Sequence, residues 1–248
     1  MPHIVKKNYT SLADFYGTLM KHIDYTLWAK YLIDITVKYN IHVNNLLEIG
    51  GGDGKLAKVL SRKFPNYYLS DKSLLLLGKS TFTKKRICCD MSALPFSQHF
   101  DFVLAAFDTI NYLNSKKSFK ELLSEVSSIT KTDGIFTFDV SLEKNSLPHI
   151  NGKMKSYSFQ NQKIEHLSIF NPKNHMHQNE FTFYKAGNVV EKEIHKQKIF
   201  PFDFYLKQIE KSDFYIIDCL EAFGFRKGKP ESKRVQFILK KVNKNAGV

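Results

Sequence analysis

The stretch Asn45–Leu60 reads NLLEIGGGDGKLAKVL. Leu46, Leu47 and Ile49 form a short apolar run of the kind expected for a strand buried on both faces. Gly50, Gly51, Gly52 and Gly54 follow, with Asp53 among them, and Lys55 opens a segment whose apolar Leu56, Val59 and Leu60 have helical spacing. Strand, glycine turn and helix in that order present backbone N–H groups and a positive helix end to a ligand. Glycine also lets the backbone approach where a Cβ would collide. The pattern points to a nucleotide-like cofactor.

A second strand, Tyr67–Ser70, ends at Asp71, 21 residues after Gly50. An acid about 20 residues beyond a glycine loop meets ribose hydroxyls in dinucleotide-type folds. Asp71 could instead cap the following segment, Ser73–Thr83; its pairing with the loop favours the ligand. Two cofactor classes suit such a loop. Gly52–Ala57 satisfies the G-x-G-x-x-A dinucleotide form, whereas Glu48-x-Gly50-x-Gly52-x-Gly54 is an acid followed by alternating glycines.

Outward from this unit, residues 8–39 read as helix, with Leu12, Phe15, Tyr16 and Leu19 on one face and Trp28, Leu32 and Ile35 extending the pattern. Arg86–Cys89 and Phe100–Ala106 read as the third and fourth strands, and Lys116–Thr130 as a helix. Asp133-Gly134 turns the chain into a fifth strand, Ile135–Val140. Strands alternating with helices at this spacing indicate an α/β fold with a mostly parallel sheet. From Lys155 to Phe200 the residues alternate in polarity, with turn signals at Asn171-Pro172 and Gly187-Asn188, as three or four half-exposed antiparallel strands would. Pro201–Ser212 returns to helix, and Phe214–Phe223 and Val235–Val242 read as two last strands.

The 248 residues, 43% of them hydrophobic, can bury a sizeable core. No apolar run nears the roughly 20 residues that span a bilayer, and the start of the chain has no apolar stretch of signal-peptide type. Three cysteines, two adjacent, make neither a disulfide framework nor a metal knuckle, so a reducing cytoplasm is expected. His175 and His177 lie two apart without an evident third ligand; they read as surface histidines, and no metal is expected. The net charge is +13, and from Arg226 onward eight Lys/Arg face the single acid Glu231. Such a tail suits nucleic acid or an anionic surface. It lacks interleaved stacking aromatics, which favours a solvated surface.

The order of these motifs resembles the class I S-adenosylmethionine-dependent methyltransferases, whose first motif is [D/E]-x-G-x-G-x-G. Asp71-Lys72-Ser73 resembles the family's second motif, and Cys89-Asp90-Met91 with Leu94-Pro95-Phe96 its third. Phe100–Val103 resembles the fourth strand, and Asp133–Phe136 the turn before the fifth. Over about residues 9–242 the chain is similar to a small-molecule branch, the glycine and amino-sugar N-methyltransferases. It shares segments like Ala13–Tyr16, His22–Trp28 and Asp108–Tyr112, and an antiparallel insertion after the fifth strand. It departs from that branch at Gly17, where aspartate is common, and at His195–Phe200, where Lys198 stands in place of arginine.

The resemblance implies a Rossmann-like, seven-stranded, mostly parallel sheet with an antiparallel β lid. One methyltransferase domain would cover 1–248: a helical cap over 8–40, a cofactor core over 44–142, the lid over about 145–200, and the last helix and strands over 201–242. It implies S-adenosyl-L-methionine as cofactor. Glu48 and Gly50, Gly51 and Gly52 would hold its methionine part, Asp71 and Lys72 its ribose, and Asp90 and Met91 its adenine. Tyr16, Trp28 and Phe107 would supply aromatic walls, with cation–π attraction to the sulfonium. Asp108, Asn111 and His195 are the candidate catalytic residues, placed to orient a substrate amine or take its proton. For Trp28 core packing, for Asn111 a turn cap and for His195 a surface position compete with these roles. The site after the fourth strand lacks the proline-containing tetrapeptide of base amino-methyltransferases, which argues against base amino-methylation but not against another RNA position or a protein acceptor. The resemblance and the lid favour a small-molecule substrate methylated on nitrogen over nucleic acid, with no membrane partner. The chain would be a monomer or homodimer. An RNA methyltransferase using the basic surface and a cofactor-binding protein without turnover are the alternatives.

Overall fold

The protein, described here by a computed structural model, is defined over residues 5–6, 9–159 and 162–242. Strand β1 (Val5–Lys6) precedes helices α1 (Leu12–Leu19) and α2 (Tyr25–Lys38). Strands β2 (Leu46–Ile49), β3 (Tyr67–Asp71), β4 (Arg86–Cys88) and β5 (Phe100–Ala105) then follow, with α3 (Lys55–Leu60) and α4 (Leu74–Lys79) after β2 and β3. Helix α5 (Lys116–Ile129) leads into β6 (Thr130–Ser141). A short α6 (Glu143–Ser146) introduces β7 (Lys153–Phe159), β8 (Gln162–Asn171), β9 (Met176–Lys185) and β10 (Asn188–Lys198). Helix α7 (Phe202–Ile209) and strands β11 (Phe214–Glu221) and β12 (Arg234–Lys241) complete the order.

Seven strands form one sheet in the order β11, β12, β6, β5, β2, β3, β4. Pairing is parallel from β4 through β3, β2 and β5 to β6, and antiparallel from β6 to β12 and from β12 to β11. The centre is β2, with β3 on one side and β5 on the other, so strand order reverses at its carboxyl end. In open α/β sheets ligands bind at this switch point, and here it is where the glycine turn lies. Successive side chains enter opposite cores. Leu47, Val103 and Phe138 pack with α5 and α7, while Leu46, Leu69 and Phe102 pack under α2 and α3. All four residues of β2 are buried, as its apolar run implied.

The remaining strands form a second sheet in the order β1, β10, β9, β8, β7, antiparallel except where β1 runs alongside β10. Directly opposed residues share a face in such pairs. His195 lies opposite Asn179, Glu193 opposite Phe181, and Phe181 opposite His166, so these side chains line one face. A third apolar cluster, including Leu12, Phe15, Ile164, Phe181 and Phe183, fastens α1 to that face.

Two expectations about local structure change. Residues 8–39 are not one helix: α1 ends at Leu19, a tight turn covers Met20–His22, and α2 starts afresh. The break is fixed by Asp24, whose carboxylate accepts the Thr26 and Leu27 N–H groups at 2.9 Å and caps α2. The fifth strand begins before Asp133-Gly134, because β6 carries Asp133 at a positive φ of 64° with a register slip against β5.

Much of the basic stretch from Arg226 onward is engaged within the chain. Lys227 pairs with Asp218, Arg226 with Glu221 and Lys240 with Asp133, while Lys241 donates to the Ser127 and Thr130 carbonyls. Lys244 lies outside the described residues. None of the described helices is long and apolar enough to cross a membrane.

Candidate active site

A cavity of about 320 Å³ opens between the carboxyl end of β2 and the inner face of the second sheet. Its floor is the glycine turn. Gly50 and Gly52 sit in the left-handed region, at φ 66° and 57°, where a side chain is strained. Gly51 serves a different purpose: a Cβ there would meet the carboxyl carbon of Glu48 at 2.7 Å, so glycine lets the turn lie down on the sheet.

Asp71 stands at the end of β3 beside this turn and lines the cavity. Its two oxygens accept the Gly52 N–H at 2.8 Å and the Ser73 N–H at 2.7 Å, which locks the carboxylate against the loop. Burial raises its pKa, and those N–H groups oppose the rise. Asp71 therefore does cap the next turn, and it also faces the cavity. The wall contributed by α1 and the turn after it includes Tyr16, and Tyr25 of α2 joins it. Phe107 closes the far end, with Tyr25 against it in an edge contact at 5.4 Å.

The second sheet supplies the roof. His195 is 1% exposed and still borders the cavity. Its Nε2 lies 2.7 Å from a carboxylate oxygen of Glu193, and its Nδ1 lies 3.4 Å from the Tyr112 hydroxyl. Tyr112 in turn bonds the Tyr9 hydroxyl at 2.8 Å. A carboxylate can only accept, so Nε2 carries a proton and Nδ1 in the neutral ring keeps its lone pair toward Tyr112. Nearby, His166 stacks on Phe181 at 4.4 Å and bonds Asn179 at 2.8 Å, while its Nδ1 is buried without a partner. Burial lowers the pKa of His166.

The methyltransferase-domain family profile matches residues 20–184, two thirds of the sequence. The chain belongs to the methyltransferase-domain family. A protein of Geobacillus sp. (strain WCH70), named as a methyltransferase, is 23% identical over 248 residues, covering 94% of this chain and 99% of that one. Among solved structures, an S-adenosylmethionine-dependent methyltransferase from Clostridium acetobutylicum superposes with a TM-score of 0.79 at 20% identity, covering 95% and 99% of the two chains. The sugar N-methyltransferase KedS8 from Streptoalloteichus sp. gives 0.76 at 14% identity, covering 93% and 92%. The protein is a methyltransferase, and its fold is that of the S-adenosylmethionine-dependent enzyme.

The cavity of this methyltransferase fits S-adenosylmethionine. The left-handed turn brings bare backbone to its edge, and Asp71 adds a half-buried carboxylate, an acceptor of the kind that hydroxyl groups need. Tyr16, Gly50, Gly51, Gly52, Asp71, Phe107, Asp108 and His195 are the sequence-derived candidates that border the cavity.

Other candidates of the methyltransferase lie elsewhere. Glu48 is 1% exposed beneath the loop, where it accepts the Tyr67 hydroxyl at 2.7 Å; burial pushes its carboxyl up to about 7. It supports the turn from behind. Trp28 is 4% exposed and packs behind Phe107 at 4.4 Å, so core packing describes it. Lys72 is paired with Asp90 at 2.6 Å on the surface, outside the cavity. Although burial alone would raise it, that lysine together with Ser92 holds the Asp90 carboxyl at about 2. Met91 packs against the core beside them. Asn111 has no exposure: its amide donates to the Ser141 and Lys198 carbonyls at 3.2 and 3.0 Å and accepts the Ser141 N–H at 2.9 Å. Every polar atom of that side chain is spent on backbone, which leaves none for a substrate.

The histidine pair is corrected too. His177 is buried at 9% exposure, with both ring nitrogens 2.8 Å from the hydroxyls of Ser146 and Ser168, whereas His175 sits in the turn before β9. Among the described residues no three His, Cys, Asp or Glu side chains converge as a metal site.

The cavity also includes residues that sequence reasoning passed over: Tyr9, Tyr25, His166, Asn179, Gln197 and Arg234. A period-two pattern places His195 and Gln197 on one face and would have paired them. Tyr9 and Arg234 come from the two ends of the chain and left no local signal.

Proposed function

We propose that this methyltransferase methylates a nitrogen of a small, polar acceptor enclosed between the glycine turn and the second sheet. The observation that carries the reading is the shared cavity: the glycine turn borders one side and a strip of polar side chains, His166, Asn179, His195 and Gln197, borders the other. Such a chamber suits an acceptor with several hydrogen-bonding groups, and the sugar N-methyltransferase among the fold neighbours is consistent with an amino-sugar-like molecule. Part of the C-terminal positive charge is paired within the chain, which lessens the support for an RNA acceptor.

In this reading Asp71 would accept the ribose hydroxyls, the Gly50–Gly52 backbone and Asp108 would border the methionine part, and Tyr16 and Phe107 would wall it. The bound cofactor supplies a methyl group on a positively charged sulfur, ready for in-line displacement. The protein's share is placement, exclusion of water and handling of the proton. An amine attacks through its lone pair, so an ammonium acceptor must first lose a proton. His195 Nδ1 would take it, with Glu193 steadying the charge that then appears on the ring. Residues 1–248 would act as one catalytic unit, with about 145–200 as its cover. The three free cysteines fit the reducing cytoplasm.

The test is incubation with S-adenosylmethionine and a panel of amino sugars and small amines, reading S-adenosylhomocysteine formation and product mass. At least one amine should gain a methyl group, and His195→Gln should cut kcat for it while leaving S-adenosylhomocysteine affinity in place. Turnover of RNA with no amine turned over would overturn the reading.

A further inference from the structure

Arg234 opens β12 and reaches across the end of the seven-stranded sheet to two carboxylates. One guanidinium nitrogen donates to Asp139 and the other to Asp108 at 2.7 Å. Asp139 is fully buried, and the Asp139 oxygen that meets Arg234 also accepts the Asp108 backbone N–H at 3.1 Å. The three side chains thus close a ring around one peptide group. That peptide is unusual: Phe107 and Asp108 are consecutive residues at φ 59°, both in the left-handed region. Aspartate tolerates this conformation better than most residues, but a phenylalanine does not, so the surrounding structure must impose it.

The turn has a visible product. It swings the Phe107 ring into the cavity and seats Thr109 so closely on the glycine turn that any Cβ on Gly50 would collide with it. Trp28 packs behind Phe107, and the Arg234 guanidinium lies 5.9 Å from the centre of the Trp28 ring. The cofactor end of the cavity therefore takes its shape from a backbone conformation that the Arg234 ring of contacts holds in place.

We propose that Arg234 and Asp139 are positioning residues for cofactor binding, holding the Phe107–Asp108 turn in its left-handed form. Lysine cannot stand in for Arg234, since an ammonium lacks the planar fork that spans two carboxylates. The inference rests on S-adenosylmethionine as donor and is independent of the acceptor.

Calorimetric titration with S-adenosylhomocysteine, alongside thermal unfolding of the free protein, tests it in four proteins: the parent, Arg234→Lys, Phe107→Gly and the double variant. Arg234→Lys should fold cooperatively and bind about ten-fold more weakly. Glycine at 107 adopts the left-handed form unaided and leaves both carboxylate partners of Arg234 in place, so adding Arg234→Lys to Phe107→Gly should change affinity by less than about two-fold. Unchanged binding by Arg234→Lys would overturn the proposal. So would costs that multiply in the double variant, since those belong to a residue that touches the ligand itself. Should Arg234→Lys fail to fold, Asp139→Asn takes its place in the same cycle, with the same two overturning results.

Discussion

The Glu193 carboxylate and the His195 ring meet at 2.7 Å from alternate positions of β10, and the same carboxylate holds the start of α1. It accepts the Ser11 and Leu12 N–H groups at 2.9 and 3.0 Å and also the Tyr9 N–H. One buried acid therefore orients a ring in the roof of the cavity and anchors the helix that carries Tyr16. Burial pushes its pKa up, yet His195 and the backbone donors prevail and leave it lowered.

Glu193→Gln leaves a single side-chain oxygen for these donors, and a stranded buried donor costs about 1–3 kcal/mol. Thermal unfolding of the variant should show a midpoint lower by about 5 °C, given about 2–4 °C per kcal/mol for a chain of this size. Because the native pKa is depressed, the stabilisation is present above the ordinary value of 4.5 and disappears as pH falls below it. The parent and the variant should accordingly converge in stability at acid pH, and a difference that widens there would refute the assignment.

Asp71→Ala removes the carboxylate that locks Gly52 and faces the cavity, where the proposed reading seats the ribose. Affinity for S-adenosylhomocysteine should fall by about 1–3 kcal/mol, roughly ten- to hundred-fold, measured by calorimetry. Wild-type affinity in a folded variant would take Asp71 out of the site.

Glu48 is a buried acid whose pKa rises from 4.5 to about 7. The folded state therefore holds a proton that the unfolded chain releases, so this group's contribution to stability is full below pH 4.5 and declines until about pH 7. Glu48→Gln abolishes the titration. Relative to the parent, it should gain roughly 3 kcal/mol of stability between pH 4.5 and pH 8, read from urea unfolding at both values. A gap that does not move with pH would show that Glu48 is ionised throughout.

Trp28→Phe tests the reassignment of that ring to the core. Unfolding free energy should drop by about 1–2 kcal/mol, while S-adenosylhomocysteine affinity stays within about two-fold. A ten-fold loss of affinity without loss of stability would return Trp28 to the cavity wall.

What the sequence disclosed about fold and site follows from range. The glycine turn, the strand after it and Asp71 lie within one βαβ unit, where spacing in the chain is close to spacing in space, and all of them meet at the cavity. Alternation along 155–200 disclosed the second sheet for the same reason. Trp28, Asp90 and Met91 were placed by motif alone, and whether a ring or carboxylate faces a cavity or a neighbour depends on packing that the motif does not encode. Asp90 has Lys72 within reach, and Trp28 has Phe107 in front of it. Arg234 escaped notice because its partners lie 95 and 126 residues away, and in the sequence it is one more cation in a basic stretch.

The amide of Asn111 bridges Ser141, where the chain leaves the main sheet, and Lys198, where it comes back. Departure and return are thus stitched side by side by one side chain on the scaffold. An insertion whose ends meet in this way can be traded without rethreading the rest of the chain. Exchanging the segment between those two residues would leave the main sheet in register, but the incoming piece would have to bring its own equivalent of Glu193, because that carboxylate fastens the start of α1.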